Sequence, residues 1–174
     1  MGRAATHTTG SRDRVDAIQF AWRRERPEID VSSIGILTRA VLIGRHLEKA
    51  RERALGELGT TTSTLEVLAT LRRAGRPFRL RTSEIEAASQ VTAGAISQRL
   101  DRLEQQRLVR RERDRDDRRV IHVSLTPRGL RLIDGVVARL MHKENVLLTP
   151  LSRDEQQTLQ RLLTHWLRWL DNNN

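Results

Sequence analysis

The chain of 174 residues contains no cysteine and no tyrosine. Without cysteine there can be no disulfide, no thiolate metal ligand and no thiol-based redox sensor. Aromatic rings are scarce, two Phe and three Trp in all, and proteins that read single-stranded RNA stack bases on such rings, so this class is disfavoured. Long apolar runs are missing too: nothing approaches the roughly 18 residues of a membrane span. The opening MGRAATHTTGSRDR carries positive charge but no apolar stretch behind it. A signal peptide is therefore not expected, and a cytoplasmic location is. No glycine-rich phosphate loop, HExxH pattern or nucleophile elbow occurs, and the histidines (His7, His46, His122, His142, His165) are scattered over different segments. Catalytic residues, metal ligands and cofactors are accordingly not assigned, and an enzyme is not expected.

What is abundant is arginine. Lys and Arg together number 32 against 22 Asp and Glu, a formal net charge of +10. Arginine matches phosphate geometry and releases counterions from DNA, so a polyanionic partner is favoured over an acidic small substrate. On charge alone RNA or an anionic membrane fits as well. The length suffices for one domain with a real core, or for a small domain with an oligomerisation element.

The most informative stretch is residues 81–126. Ser83 and Glu86 have the spacing of a capping box for a short helix. A second helix is predicted from about Thr92, where Ile96, Leu100 and Leu103 make an inward stripe and leave Ser97, Gln98, Asp101 and Arg102 outward. Small Ala93, Gly94 and Ala95 open it, which lets a helix N-terminus come close to DNA. After Leu108 and Val109 the period becomes two: Ile121, Val123 and Leu125 alternate with His122 and Ser124 as in a half-buried strand. Between them lies RRERDRDDRR, too charged for a core. In isolation such a run reads as a solvated surface; after a candidate recognition helix it reads as a hairpin tip whose arginines suit phosphates and a narrow minor groove. The fold class expected is mainly α with a small β-wing, a winged helix-turn-helix with a helical dimerisation region.

The remainder is helical by its periodicity. Residues 1–11 are small and polar and expected to be disordered. A helix over 13–25 carries Val15, Ile18 and Trp22, and Pro27 stops it. A longer one over 33–58 carries Ile36, Leu37, Ala40, Ile43, Leu47 and Ala50 and ends before Gly59. A short one over 64–74 has Ser63 and Glu66 as a second capping box and Gly75 as its stop. Thr126 and Pro127 start a long helix to about residue 148, with Leu130, Ile133, Val137, Leu140 and Met141 on one side. Pro150 breaks it. Ser152 and Glu155 cap a last helix whose Leu159, Leu162, Leu163, Trp166, Leu167 and Leu170 form a broad apolar face; 171–174 reads as a tail. We therefore expect one domain over 12–170, with 12–58 and 127–170 as dimerisation helices around a DNA-binding lobe at 60–126. Apolar faces this wide call for a second copy, and a two-fold dimer would set two recognition helices about 34–36 Å apart on a pseudo-palindromic duplex.

VLATLRRAG, TSEI, TAGAISQRLDRLE, LVRRERDRDDRRVIHVSLTPRG and LTPLSRDEQQTLQRLL resemble the MarR family of bacterial transcriptional regulators. The similarity runs over about residues 31–170 and is most specific in the wing, at Asp117, Arg119 and the Leu125-Thr126 pair. The resemblance implies a homodimer of winged helices, and repression relieved by a small anionic or phenolic effector bound between the dimer helices and the reading lobe. It implies that Asp117 braces the wing and that Arg119 enters the minor groove, with Arg115 and Arg118 beside it. Thr92, Ala93, Ser97, Gln98 and Arg102 would line the major-groove surface.

The added helix with Trp22 resembles the urate-responsive subgroup of this family, which implies an effector site of Trp22, Glu66, Arg99 and Arg111. The subgroup's usual acid is Asp, one methylene shorter than Glu66. Glu66 thus has two readings, as effector ligand and as the third residue of a capping box. Arg107 stands where the family usually has Gly; should the backbone there be left-handed, Arg costs on the order of 1 kcal/mol. A competing reading of the whole chain is an architectural, nucleoid-type DNA-binding protein with no effector.

Overall fold

A computed structural model describes residues 13–89 and 93–173. They form α1 (Arg14–Glu25), α2 (Ser32–Glu57), α3 (Thr62–Arg73), β1 (Arg79–Arg81), α4 (Thr82–Ala87), α5 (Ala93–Gln105), β2 (Val109–Arg113), β3 (Ile121–Leu125), α6 (Pro127–Leu147) and α7 (Arg153–Asn173). The expectation of disorder over 1–11 and the role given to Thr92 fall outside the described residues. No helix among them is long and apolar enough to cross a membrane. The chain divides into two compact units within α2, one ending at Ala50 and the other beginning at Arg51.

In the first unit Asp13 caps α1 by accepting from the Val15 and Asp16 amides, while Asp16 returns the bond to the Asp13 amide. The Arg39 guanidinium then bridges Asp13 and Asp16 at 2.9 and 2.7 Å and donates to the Gly35 carbonyl. These bonds from Arg39 hold both carboxyls below the usual carboxylate range. Gln19 donates to the Val31 carbonyl, so α1 is fastened to the start of α2 largely by polar contacts. Val15 and Val31 are buried, but Phe20, Ile36, Leu37 and Ile43 are exposed.

The second unit has a continuous core in which Leu55, Leu68, Leu71, Ile85, Ile96, Leu100, Leu103, Val123, Ile133 and Leu140 are almost fully buried. Ion pairs lace α6 to its neighbours: Arg72 to Asp134, Arg51 to Glu144 and Lys143 to Glu57, each at 2.6–2.7 Å. The strands pair antiparallel in the order β1-β3-β2. Leu80 and Arg111 flank Val123 across the sheet. In α7 no residue is buried, and Leu162, Leu167 and Trp169 are each more than half exposed.

Several local expectations are corrected. Strand β1 has no counterpart among them, because an Arg-Leu-Arg tripeptide is too short to show a period. Its last residue, Arg81, is extended and caps α4, with the Glu84 carboxylate accepting from the Arg81 amide; the Ser83–Glu86 box therefore does not form. Thr61, extended at φ −126 and ψ 161, caps α3 by accepting from the Thr64 amide, which leaves Ser63 and Glu66 inside the helix. Ile121 is exposed, since it lies one step beyond the point where the core backs the sheet. On α6 the inward stripe is Gly129, Ile133, Val136 and Leu140, whereas Val137 and Met141 face outward. Helix α7 runs on to Asn173, past the expected start of the tail.

Two turns fix the hairpin. At its base Arg107 is left-handed, φ 57, as the departure from Gly anticipated, and the Leu108 amide closes α5 onto the Leu103 carbonyl at 2.9 Å. Thr126 donates its hydroxyl to the Arg107 carbonyl at 2.7 Å and accepts from the Gly129 amide, so one side chain joins the hairpin to the start of α6. At its tip the Asp114 carboxylate accepts from the Asp116 and Asp117 amides and pairs with His122 Nε2 at 2.8 Å. Those bonds, led by the Asp116 amide, draw its pKa from 3.8 down to about 2.

A methyl group at Gly129 would lie 2.0 Å from the Leu108 carbonyl oxygen. Gly129→Ala should therefore lower the unfolding free energy by at least about 2 kcal/mol in urea denaturation. The depressed pKa of Asp114 means that its bonds contribute fully above 3.8 and are lost as pH falls from there through about 2. A carbon-13 titration of the Asp114 carboxyl should show its midpoint near 2, and Asp114→Ala should accelerate exchange of the Asp116 and Asp117 amides while leaving those of α5 unchanged.

Candidate nucleic-acid interface

Helix α5 is two-sided. Ile96, Leu100 and Leu103 are 2% exposed or less, so rotation about its axis is fixed and the opposite side must face water. On that side Ser97, Gln98 and Arg102 are exposed, as is Gly94, beside which a side chain would meet open space. Ala93 is the first residue of the helix. A hydroxyl, an amide and a guanidinium on one exposed face form a set of donors and acceptors suited to base edges and phosphates.

The hairpin that follows is sorted by charge. Three of its four acids are engaged within it: Glu112 with Arg110, Asp114 with His122 and two amides, and Asp117 with the Arg119 amide. Asp117 thus bonds to the backbone of the residue two positions on, as a turn aspartate does. Arg113, Arg115, Arg118 and Arg119 are exposed, and none forms an ion pair among the described residues. On paper the six arginines of the segment outnumber its four acids by only two. In space the arginines point outward and the acids shape the turn.

Glu66 and Arg99, two of the residues expected at an effector site, do meet: Arg99 donates to the Glu66 carboxylate at 2.9 Å, with side chains 24% and 50% exposed respectively. They border an open cleft of about 510 Å³ walled by Leu55, Gly56 and residues 60–63. Glu66 also stands at the rim of a larger cleft of about 850 Å³ between α3 and α6, floored by Leu65, Ala69, Ile133, Val137 and Met141. Arg111 lines neither. Its guanidinium pairs with Glu104 and Asp101 of α5 at 2.7 and 2.6 Å, and this holds the Glu104 carboxyl below the usual carboxylate range. Trp22 belongs to the other unit, where the residue is 47% exposed.

Reasoning from the sequence gave no partner to Asp114, to His122 or to the acids that receive Arg111. Asp114 carries a legible signal, a turn aspartate with amides two and three residues on. The partners of Arg111 carry none, because they lie on another element.

Residues 58–120 match the MarR family. The transcriptional regulator PecS of Dickeya dadantii is 35% identical over 162 residues, 91% of this chain and 96% of PecS. Among solved structures, wild-type apo MarR from E. coli superposes with a TM-score of 0.65 at 26% identity, covering 75% of this chain and 96% of MarR. A point mutant of S. aureus MepR bound to an oligodeoxyribonucleotide superposes at 0.54 with 25% identity, over 76% of this chain and 96% of MepR. A two-sided helix α5, an arginine-tipped hairpin and a regulator matched almost end to end lead to one conclusion: this chain belongs to the MarR family of transcriptional regulators.

Proposed function

We propose that the chain is a repressor that reads a pseudo-palindromic operator as a homodimer and releases it on binding a small anionic or aromatic effector. The observation that carries the DNA-reading part is the set of four exposed hairpin arginines, without ion-pair partners among the described residues, beside the exposed Ser97, Gln98 and Arg102 of α5. Exposed cations release condensed counterions and supply affinity, while the helix face supplies discrimination. MepR, matched above, was crystallised on an oligodeoxyribonucleotide, which supports this use of the fold. Self-association is supported by the uncovered apolar side chains of α7 and, separately, of the first unit, faces that isolated soluble domains rarely leave open.

The effector part rests on the Glu66–Arg99 pair. An anionic ring compound that takes Arg99 from Glu66 acts directly on the reading helix, because Arg99 lies one position from Gln98. Arg111 is already neutralised by two carboxylates, so this reading assigns anion capture to Arg99.

On a duplex from the gene's own upstream region, Arg119→Ala should lower affinity at least about tenfold and reduce the salt slope by about 0.9 for each phosphate left unneutralised, with sedimentation unchanged. Equal binding of the wild type to that duplex and to random DNA would favour an architectural protein. With Glu66 no longer competing, Glu66→Gln should shift release by phenolic acids or purines to lower concentration by up to about fivefold, the value of an exposed ion pair; an unchanged titration would remove Glu66 from the site.

A further inference from the structure

We infer that Arg111 is a positioning residue for DNA reading: it clamps the first strand of the hairpin to the recognition helix and so sets the angle between them. Resting on the DNA-reading role proposed above, the inference concerns how the two reading elements are kept in register.

Arg111 sits opposite Val123 on the sheet face that packs against the core. From there its Nε donates to Glu104 at 2.8 Å and its terminal nitrogen to Asp101 at 2.6 Å, while its own backbone amide donates to the second oxygen of Glu104 at 3.0 Å. Both ends of the residue are therefore tied to α5, and the planar fork fixes direction as well as distance. The exposed hairpin arginines have no such ties, whereas Arg111 is only 28% exposed.

The acids also need the cation. Asp101 and Glu104 lie in the second half of α5, where the aligned peptide dipoles disfavour negative charge. Asp101 follows Gln98 by three residues and Ser97 by four, so it shares their side of the helix, a side we propose meets phosphates. Arg111 is matched there by the two carboxylates. Because its own charge is matched, it adds no counterion release, which separates it from a phosphate ligand.

The test uses the full chain, the operator duplex and a scrambled duplex of equal length, at several salt concentrations. Arg111→Ala should weaken the operator complex by roughly tenfold or more and the scrambled complex by less than about threefold. The slope against salt should stay as in the wild type, and release by added phenolic acids or purines should keep its fold-change. Glu104→Gln should show the same pattern more weakly, and the double variant should be no worse than Arg111→Ala, the non-additivity of a shared interaction. Should Arg111→Ala fail to fold, Glu104→Gln, which keeps the side chain's shape, carries the test. A slope reduced by about one would make Arg111 a phosphate ligand; retained operator affinity with lost effector response would make it an effector ligand; additive effects would deny the coupling. Each overturns the clamp. If the wild type does not distinguish the duplexes, the regulator reading fails by itself. The clamp is then decided by hydrogen exchange: faster exchange of amides 101–105 and 109–113 in Arg111→Ala, with 79–81 unchanged, sustains it, and unchanged exchange refutes it.

Discussion

The second unit of this protein depends on one carbonyl group. Leu108 ends the connection from α5 into the hairpin, and its oxygen accepts from the Thr126 amide at 3.0 Å while Gly129 packs directly against it. Three elements therefore converge on a few atoms: α5 closing through left-handed Arg107, the hairpin closing at Thr126, and α6 starting at Pro127. No side chain can come between them, so the base of the hairpin cannot slide against α6 without breaking backbone bonds in a buried place, where an unmet donor or acceptor costs about 1–3 kcal/mol. The hydrophobic core gives bulk to the unit, but this junction gives it direction. Arg111 does at mid-strand what Thr126 does at the base, with charge in place of backbone contact.

Much of this was legible in the sequence, for physical reasons that differ by residue. Ile96, Leu100 and Leu103 announce a buried stripe because helical period is a property of one segment. Thr126-Pro127 and the Ser152–Glu155 box are equally local; Ser152 and Glu155 exchange bonds as expected. Thr61 and Ser63 compete for the same helix start, and only the extended backbone at Thr61 decides between them. That decision reaches the candidate effector site, because it leaves the Glu66 carboxylate to meet Arg99. Val137 and Val136 are neighbours with the same composition signal; which one turns inward is set by where α3 lies, and the sequence of α6 does not contain that information. The partners of Arg111 are illegible for the same reason.

The two units differ in how they are held. In the second, burial dominates and ion pairs trim the rim. In the first, Arg39 bonded to Asp13, Asp16 and the Gly35 carbonyl is the main visible fastening, and much of the apolar surface stays uncovered. Pairs this exposed contribute little each, so the geometry of α1 is more weakly determined than that of the second unit. An element that is weakly held is one whose position a bound molecule or a second chain can set.

The hairpin divides labour between its two kinds of charge. Asp114 and Asp117 dictate its form through bonds to backbone amides that any residue supplies, while Arg115, Arg118 and Arg119 hold no part of that form in place. Shape and chemistry are thus written in separate letters. On the DNA-reading role proposed above, drift at the arginines would retune how tightly a duplex is held without refolding the loop, whereas drift at Asp114 would cost the scaffold itself, so lineages built on this hairpin can change their grip from an inherited frame.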